Sequence, residues 1–373
     1  MSGLYPQSLP KLKHSVFKDA HHQPSMQSAY QSVLQAEEEA SNDIERMDAR
    51  VVGFFMIEFW KLGPSSIGDR PVAQIKLEVN STGGSGGIYE LGTRYRENLL
   101  RAFRSSKGPL PMPSNHPSRP SFDSMQQFVN ENLHSSAKDH QTAKKYALAR
   151  DGFRCMLTHK FDSTSVEKMP FVEQMRIAEG GSYEQTNCCH IFSASTVQDI
   201  DSSDPAQVKR REHAATALAM LKSFGLNTLV DTIMRCGVHD PTNLLTMVAT
   251  WHAEFDKLKL WLEATSNDNE YDICVARDGW WQGFPNYPRR VLFVSRPFEI
   301  GNETRTLALP DPRLLAIHAT CARVAHMSGA AEYMDLREQD LDDSTVLAAD
   351  GSSAAFFNEL LLSASLQIVS ARA

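Results

Sequence analysis

The sequence predicts an α+β fold in three parts: a helical N-terminal region, a central module of short strands around one helix, and a small αβ C-terminal extension. Three observations predict it. Residues from Ser25 to Leu62 read as a long helix or helix pair, acidic in front (Glu37, Glu38, Glu39) and apolar behind (Val51, Val52, Phe54, Phe55, Ile57, Phe59, Trp60), stopped by Gly63 and Pro64. Five prolines between Lys107 and Ser121 mark an extended linker and the best domain boundary. Short strand-like runs then recur through the second half, alternating with Gly and Pro turns from Tyr271 to Leu307.

In order along the chain, 1–24 is expected to be a disordered tail and 25–106 a helical region. Within that region Ser81 to Gly87 reads as a flexible loop and Ile88 to Phe103 as helix. The loop lacks the Lys-Ser/Thr ending that a phosphate-binding loop needs. After the 107–121 linker comes a domain over 122–270, with helices from Ser121 to Leu133 and from Ala143 to Arg150. It carries an insertion at about 193–238, where Ser203 to Gly225 has helix signals: a capping Ser or Asp, Pro205 in the first turn and Gly225 at the end. The extension occupies 271–373, with an apolar helix from Pro310 to Tyr333 whose His318 and His326 read as core or surface histidines.

Net charge is −7, which by itself argues against avid nucleic-acid binding. The charge is uneven: six basic residues lie between Lys138 and Lys160 against two acids, and seven acids lie between Ala331 and Asp350 against one Arg. The six cysteines form no C-x-x-C pair and no disulfide framework. Without a secretory signal or a bilayer-length apolar run, the expectation is a soluble protein of the nucleus or cytoplasm, with no membrane partner.

Three short elements carry chemistry. Arg154 to Thr158 reads as a strand following a basic helix. Asn187 to Phe192 sets His190 between small polar residues and an apolar strand. Asn243 to Thr246 precedes Trp251 to Asp256, where His252 and Asp256 stand four apart and share one face of a helix. Eight residues separate Asn243 from His252.

The order His190, Asn243, His252, with that gap, resembles the HNH nuclease family, whose ββα-metal fold wraps a hairpin and a helix around one divalent ion. Asp139 to Cys155 and Ile317 to His326 also resemble fungal proteins bearing this domain. The resemblance implies a metal-dependent endonuclease acting on DNA or RNA, leaving a 5′-phosphate and a 3′-hydroxyl. His190 would be the general base, since an imidazole near neutrality accepts a proton from water. His252 and Asp256 would hold the ion, which is Mg, Mn, Ni or Zn. Asn243 would pin the loop that orients the base, or contact the metal. Arg154, Lys144 and Lys145 would meet nucleic acid.

Three departures separate the chain from the family pattern. Cys189 replaces the Asp or His that ligates the ion before the base, and a thiolate favours softer metals than magnesium; either His252, Asp256 and waters hold the ion, or Cys189 or Cys188 joins them. About fifty residues lie between His190 and Asn243. A paired C-x-x-C zinc site is absent. These leave a second expectation: a catalytically inactive HNH-fold module for nucleic-acid or protein interaction.

Overall fold

The structure, a computed structural model, describes residues 3–18, 24–63, 67–104, 140–193, 215–296, 298–300, 303–306 and 308–344. It mixes helices with short strands, as an α+β fold does. The expected linker at 107–121, the helix from Ser121 to Leu133 and the cap at 203–205 lie outside the described residues. The chain divides into two units, Met1–Ala331 and Glu332–Ala373.

In the first unit α1 (Pro24–Glu39) and α2 (Asp43–Leu62) are separate helices. Asn42 starts the second: its side chain accepts from Glu45 N–H, while the Glu45 carboxylate accepts from Ser41 N–H, a reciprocal cap. Helix α2 is apolar on nearly every side because it is the centre of a helical layer, packed on α1, on α3 (Arg70–Asn80), on α4 (Ser85–Arg94) and on α10 (Pro312–Ser328). Residues 3–18, expected to be disordered, are instead a strap across this layer. Leu9 and Phe17 are buried, Leu9 N–H donates to the Glu37 carboxylate, and Tyr30 Oη donates to Pro10 O. Gly53 permits the approach, since a Cβ there would stand 2.5 Å from the Leu9 methyls. Scattered prolines hid this segment because it gains order from α1 and α2 rather than from local periodicity.

The expected glycine loop is shorter than its sequence implied. Gly86 and Gly87 already belong to the first turn of α4, which continues through a π-helical turn over Tyr95–Leu100. Three antiparallel strands, β5 (Leu260–Ala264), β6 (Glu270–Val275) and β7 (Arg290–Leu292), form a sheet that packs on α10. A boundary between 270 and 271 would therefore cut through β6 and separate strands that share backbone hydrogen bonds. The apolar helix near the end breaks at Gly329, whose left-handed φ of 91° turns α10 into α11 (Ala330–Ser344). Only 332–344 of the second unit are described; they continue α11, where Arg337 donates to Tyr333 Oη. Among the described residues no helix is long and apolar enough to cross a membrane.

The elements that position the site are α5 (His140–Arg150), the parallel pair β1 (Phe161–Asp162) and β2 (Tyr183–Glu184), the antiparallel pair β3 (Thr186–His190) and β4 (Leu244–Val248), and α9 (Ala249–Asp256). Between β1 and β2 run α6 (Ser163–Lys168) and α7 (Pro170–Glu179); α8 (Asn227–Cys236) lies in the insertion, preceded by a separate helical stretch at 215–223. Strand β4 runs directly into α9, while α5 crosses β3 and β4. The segment from Arg154 to Thr158 is not a strand. Gly152 and Phe153 both adopt left-handed φ, which throws the chain out of α5 into a turn closed by an isolated bridge, Arg154 to Phe161, and by His159 N–H donating to Cys155 O.

Candidate metal centre

Strand β3 sorts its two cysteines by alternation. Cys188 faces α5 and joins Ala143, Ala147 and Leu244 in an apolar cluster. Cys189 faces the other way, toward α9, where the helical period brings His252 and Asp256 to one face. Their donor atoms and Cys189 Sγ all lie within 4.8 Å of one another, with His252 Nε2 3.3 Å from Asp256 Oδ2. Cys189 is buried, while His252 and Asp256 are half-buried.

This donor set fits one divalent cation. Tetrahedral zinc, with bonds of about 2.0–2.3 Å, sets its ligands about 3.3–3.8 Å apart, so no more than about 1.5 Å remains to be closed. One sulfur, one imidazole nitrogen and one carboxylate oxygen match zinc better than magnesium, which selects oxygen donors in an octahedron. Burial pushes the Cys189 thiol well above its ordinary pKa, and the nearby Asp256 carboxylate raises it further. Without a cation beside it, the sulfur is therefore a neutral thiol.

His190 ends β3, half-buried and in register with Leu244. Its Nε2 lies 2.9 Å from His239 Nδ1. Asn243 is fully buried and uses its whole amide on backbone: Oδ1 accepts from Phe192 N–H at 2.7 Å, and Nδ2 donates to Phe192 O at 3.0 Å and Val238 O at 2.8 Å. Asn243 thus pins the loop rather than contacting a metal. It clips together the two ends of the insertion, next to His190 on one side and His239 on the other. Arg150 braces the same turn from α5. Wholly buried, it donates to Pro241 O and Leu244 O and forks onto Asp151.

The residues expected to meet nucleic acid are otherwise engaged. Arg154 is buried, forks onto Glu179 at 2.7 and 3.1 Å, and lies over the Phe161 ring. Lys144 donates to Thr186 O and stands 4.0 Å from Asp162; the Lys145 side chain lies outside the described residues. Lys160 pairs with Glu184. Arg154 and Lys160 are thus each paired with an acid of the same fold. Cys155 is buried and accepts from Thr158 N–H, a packing role. His239 and Arg150 are the site residues that the sequence did not single out. Neither has a local signal, since each acts through partners far along the chain.

His318 and His326, on α10, are core residues that brace the C-terminal end of α9. His318 stacks on Phe255 with ring centroids 3.7 Å apart and lies 3.2 Å from Phe255 O, and His326 lies 3.0 Å from Leu258 O. A carbonyl only accepts, so in each case Nε2 carries the hydrogen. Burial lowers the pKa of His318 from its ordinary 6.5 to about 3. A histidine depressed in the fold protonates first in the unfolded chain, so stability is full above about pH 6.5 and is lost as pH falls from there toward about 3. The slope is about 1.4 kcal/mol per pH unit. Between pH 6.5 and 4.5 the wild type should lose about 2–3 kcal/mol more than His318→Gln, compared by urea midpoints. Equal losses would remove His318 as the cause.

Comparison with known proteins gave no matching family model, no matching curated protein and no matching solved structure.

Proposed function

We propose that this chain is a metal-dependent endonuclease of the HNH type, with β3, β4 and α9 as its ββα-metal module. The observation that carries this reading is the convergence of Cys189, His252 and Asp256 where β3 meets α9, one residue from His190. Two further features support it: the strand–strand–helix order, and the Asn243 clip that fixes the segment following His190.

The substrate would be a phosphodiester of DNA, with RNA as the alternative. Strand alternation gives Cys189 and His190 opposite sides of the end of β3, so a phosphate straddling that end would be approached from both. His190 would take a proton from the attacking water. Cys189, His252 and Asp256 would hold one divalent cation, zinc by donor chemistry. When bound, such a cation supplies charge stabilisation for the phosphorane and the leaving oxygen. Asn243 would act at a distance, by holding the base.

A second reading, a catalytically silent module of the same fold, is favoured by one observation: Arg154 and Lys144 spend their charge on internal partners. Nicking of supercoiled plasmid separates the two. Zinc-, manganese-, nickel- and magnesium-loaded wild type would be assayed beside His190→Ala. Nicking by the wild type should fall about 10²-fold or more in the variant at unchanged metal content. Cleavage that survives the substitution would remove His190 from its role. A folded wild type that fails to cleave under every one of these metals would leave the second reading.

A further inference from the structure

Fourteen residues, 276–289, join β6 to β7, where a hairpin ordinarily needs about 2–5. The surplus carries aromatic rings and positive charge. Trp280 and Trp281 sit on a short 3₁₀ helix (Asp278–Gly283), and Phe284 and Tyr287 follow. All four are half-buried and gather over Trp251 of α9. The ring centroids of Trp280 and Tyr287 both stand 5.1 Å from that of Trp251, with Trp281 and Phe284 at 6.2 and 6.4 Å. Trp251 is fully buried, yet its Nε1–H has no acceptor among the described residues. A loop present only to seal this spot would bury its rings and satisfy that donor.

The charge points to the occupant. From Arg277 to Arg290 there are three arginines and one acid, Asp278, in a chain of net charge −7. Arg290 is held by Asp272. Arg277 and Arg289 are exposed, and among the described residues neither has a carboxylate partner. Arg289 instead lays its guanidinium against Trp281, 3.7 Å from the ring centroid. Rings flanked by such cations match unpaired bases on a phosphate backbone: a base stacks on an aromatic ring or a guanidinium plane, while the cation meets the phosphate. We propose that the 276–289 connection is a stacking platform for single-stranded DNA, with Trp281 and Arg289 as its principal contacts. In a duplex each base face is covered by its neighbours, so the platform selects unpaired strands. Trp251 adjoins His252, so the platform lies against the helix of the proposed cation site. The inference rests on the nuclease reading and names its substrate, an unpaired stretch of DNA.

The test is fluorescence anisotropy on the full-length protein in zinc-containing buffer, with a gel to confirm that the strand stays intact. The probe is a labelled oligothymidylate of about 12 nucleotides, a length that such surfaces cover. It should bind at least about tenfold tighter than a duplex of the same length. Trp281→Ala should weaken it about fivefold to a hundredfold, the loss of one stacked base, and Trp281→Phe, which keeps a ring, should recover most of that. Arg289→Gln should lower the slope of log affinity against log salt by about 0.7, one phosphate contact. A duplex bound as tightly as the single strand overturns the proposal, and so does wild-type affinity in both the Ala and the Gln variant. If Trp281→Ala does not fold, Arg289→Gln, a change at an exposed side chain, decides. Oligouridylate bound tighter than oligothymidylate would assign RNA in place of DNA. Cleavage is not the readout. Single-strand binding without cleavage under any metal keeps the platform and removes the nuclease reading, whereas nicking by a protein that binds both forms alike removes the platform alone.

Discussion

Asn243→Leu is expected to lose about 3–6 kcal/mol of folding stability. Leucine fills a similar volume, but it leaves Phe192 N–H, Phe192 C=O and Val238 C=O buried without the partner that now satisfies each. An orphaned buried polar group costs about 1–3 kcal/mol. Asn243→Asp is the sharper variant. It keeps an acceptor for Phe192 N–H, but turns a carboxylate oxygen toward two carbonyl oxygens that need a donor, so it should also destabilise despite its near-identical shape. The check is the urea midpoint at unchanged slope, which separates lost stability from a change in the unfolded chain. A Leu variant with a wild-type midpoint would mean that the clip holds nothing.

The second large effect tests the proposed cation site. His252→Ala and Asp256→Ala should each weaken zinc binding by more than about a hundredfold, because loss of a direct ligand exceeds the 10–100-fold cost of losing the partners behind one. Nicking should be lost with it. Cys189→Ser tests the sulfur. In cobalt-substituted protein the wild type should show sulfur-to-cobalt charge-transfer absorption and the Ser variant none. Identical spectra would exclude Cys189 from the coordination shell. Cys189→Asp should shift preference from zinc toward manganese and magnesium, since it exchanges a soft donor for a hard one.

Features governed by short-range periodicity were legible in the sequence. The helices from Ser25 to Leu62 and from Ala143 to Arg150 follow from apolar spacing and stop signals, and the shared face of His252 and Asp256 follows from the helical repeat. What depends on distant partners was not legible. A local count of charge made 138–160 a basic stretch, whereas Arg154 and Lys160 find Glu179 and Glu184, more than twenty residues on. Leu9 is ordered by Gly53 and Glu37, which a proline-scattered strap does not announce. The segment from Arg154 to Thr158 has strand-like residues, but two left-handed residues before it set a turn. His239 lies across an insertion whose closure by Asn243 only the folded chain reveals.

The histidines of α10 join two parts of the molecule that the sequence keeps far apart. Helix α10 lies against α2 in the helical layer, and through Phe255 O and Leu258 O it also grips the last turn of the helix bearing His252 and Asp256. The proposed cation ligands therefore have no private scaffold. Heat or denaturant that loosens the N-terminal helices would slacken α10, and with it the spacing on which coordination depends. Melting and metal release would then be one cooperative event, and the bound ion would lock the helical layer as much as its own pocket.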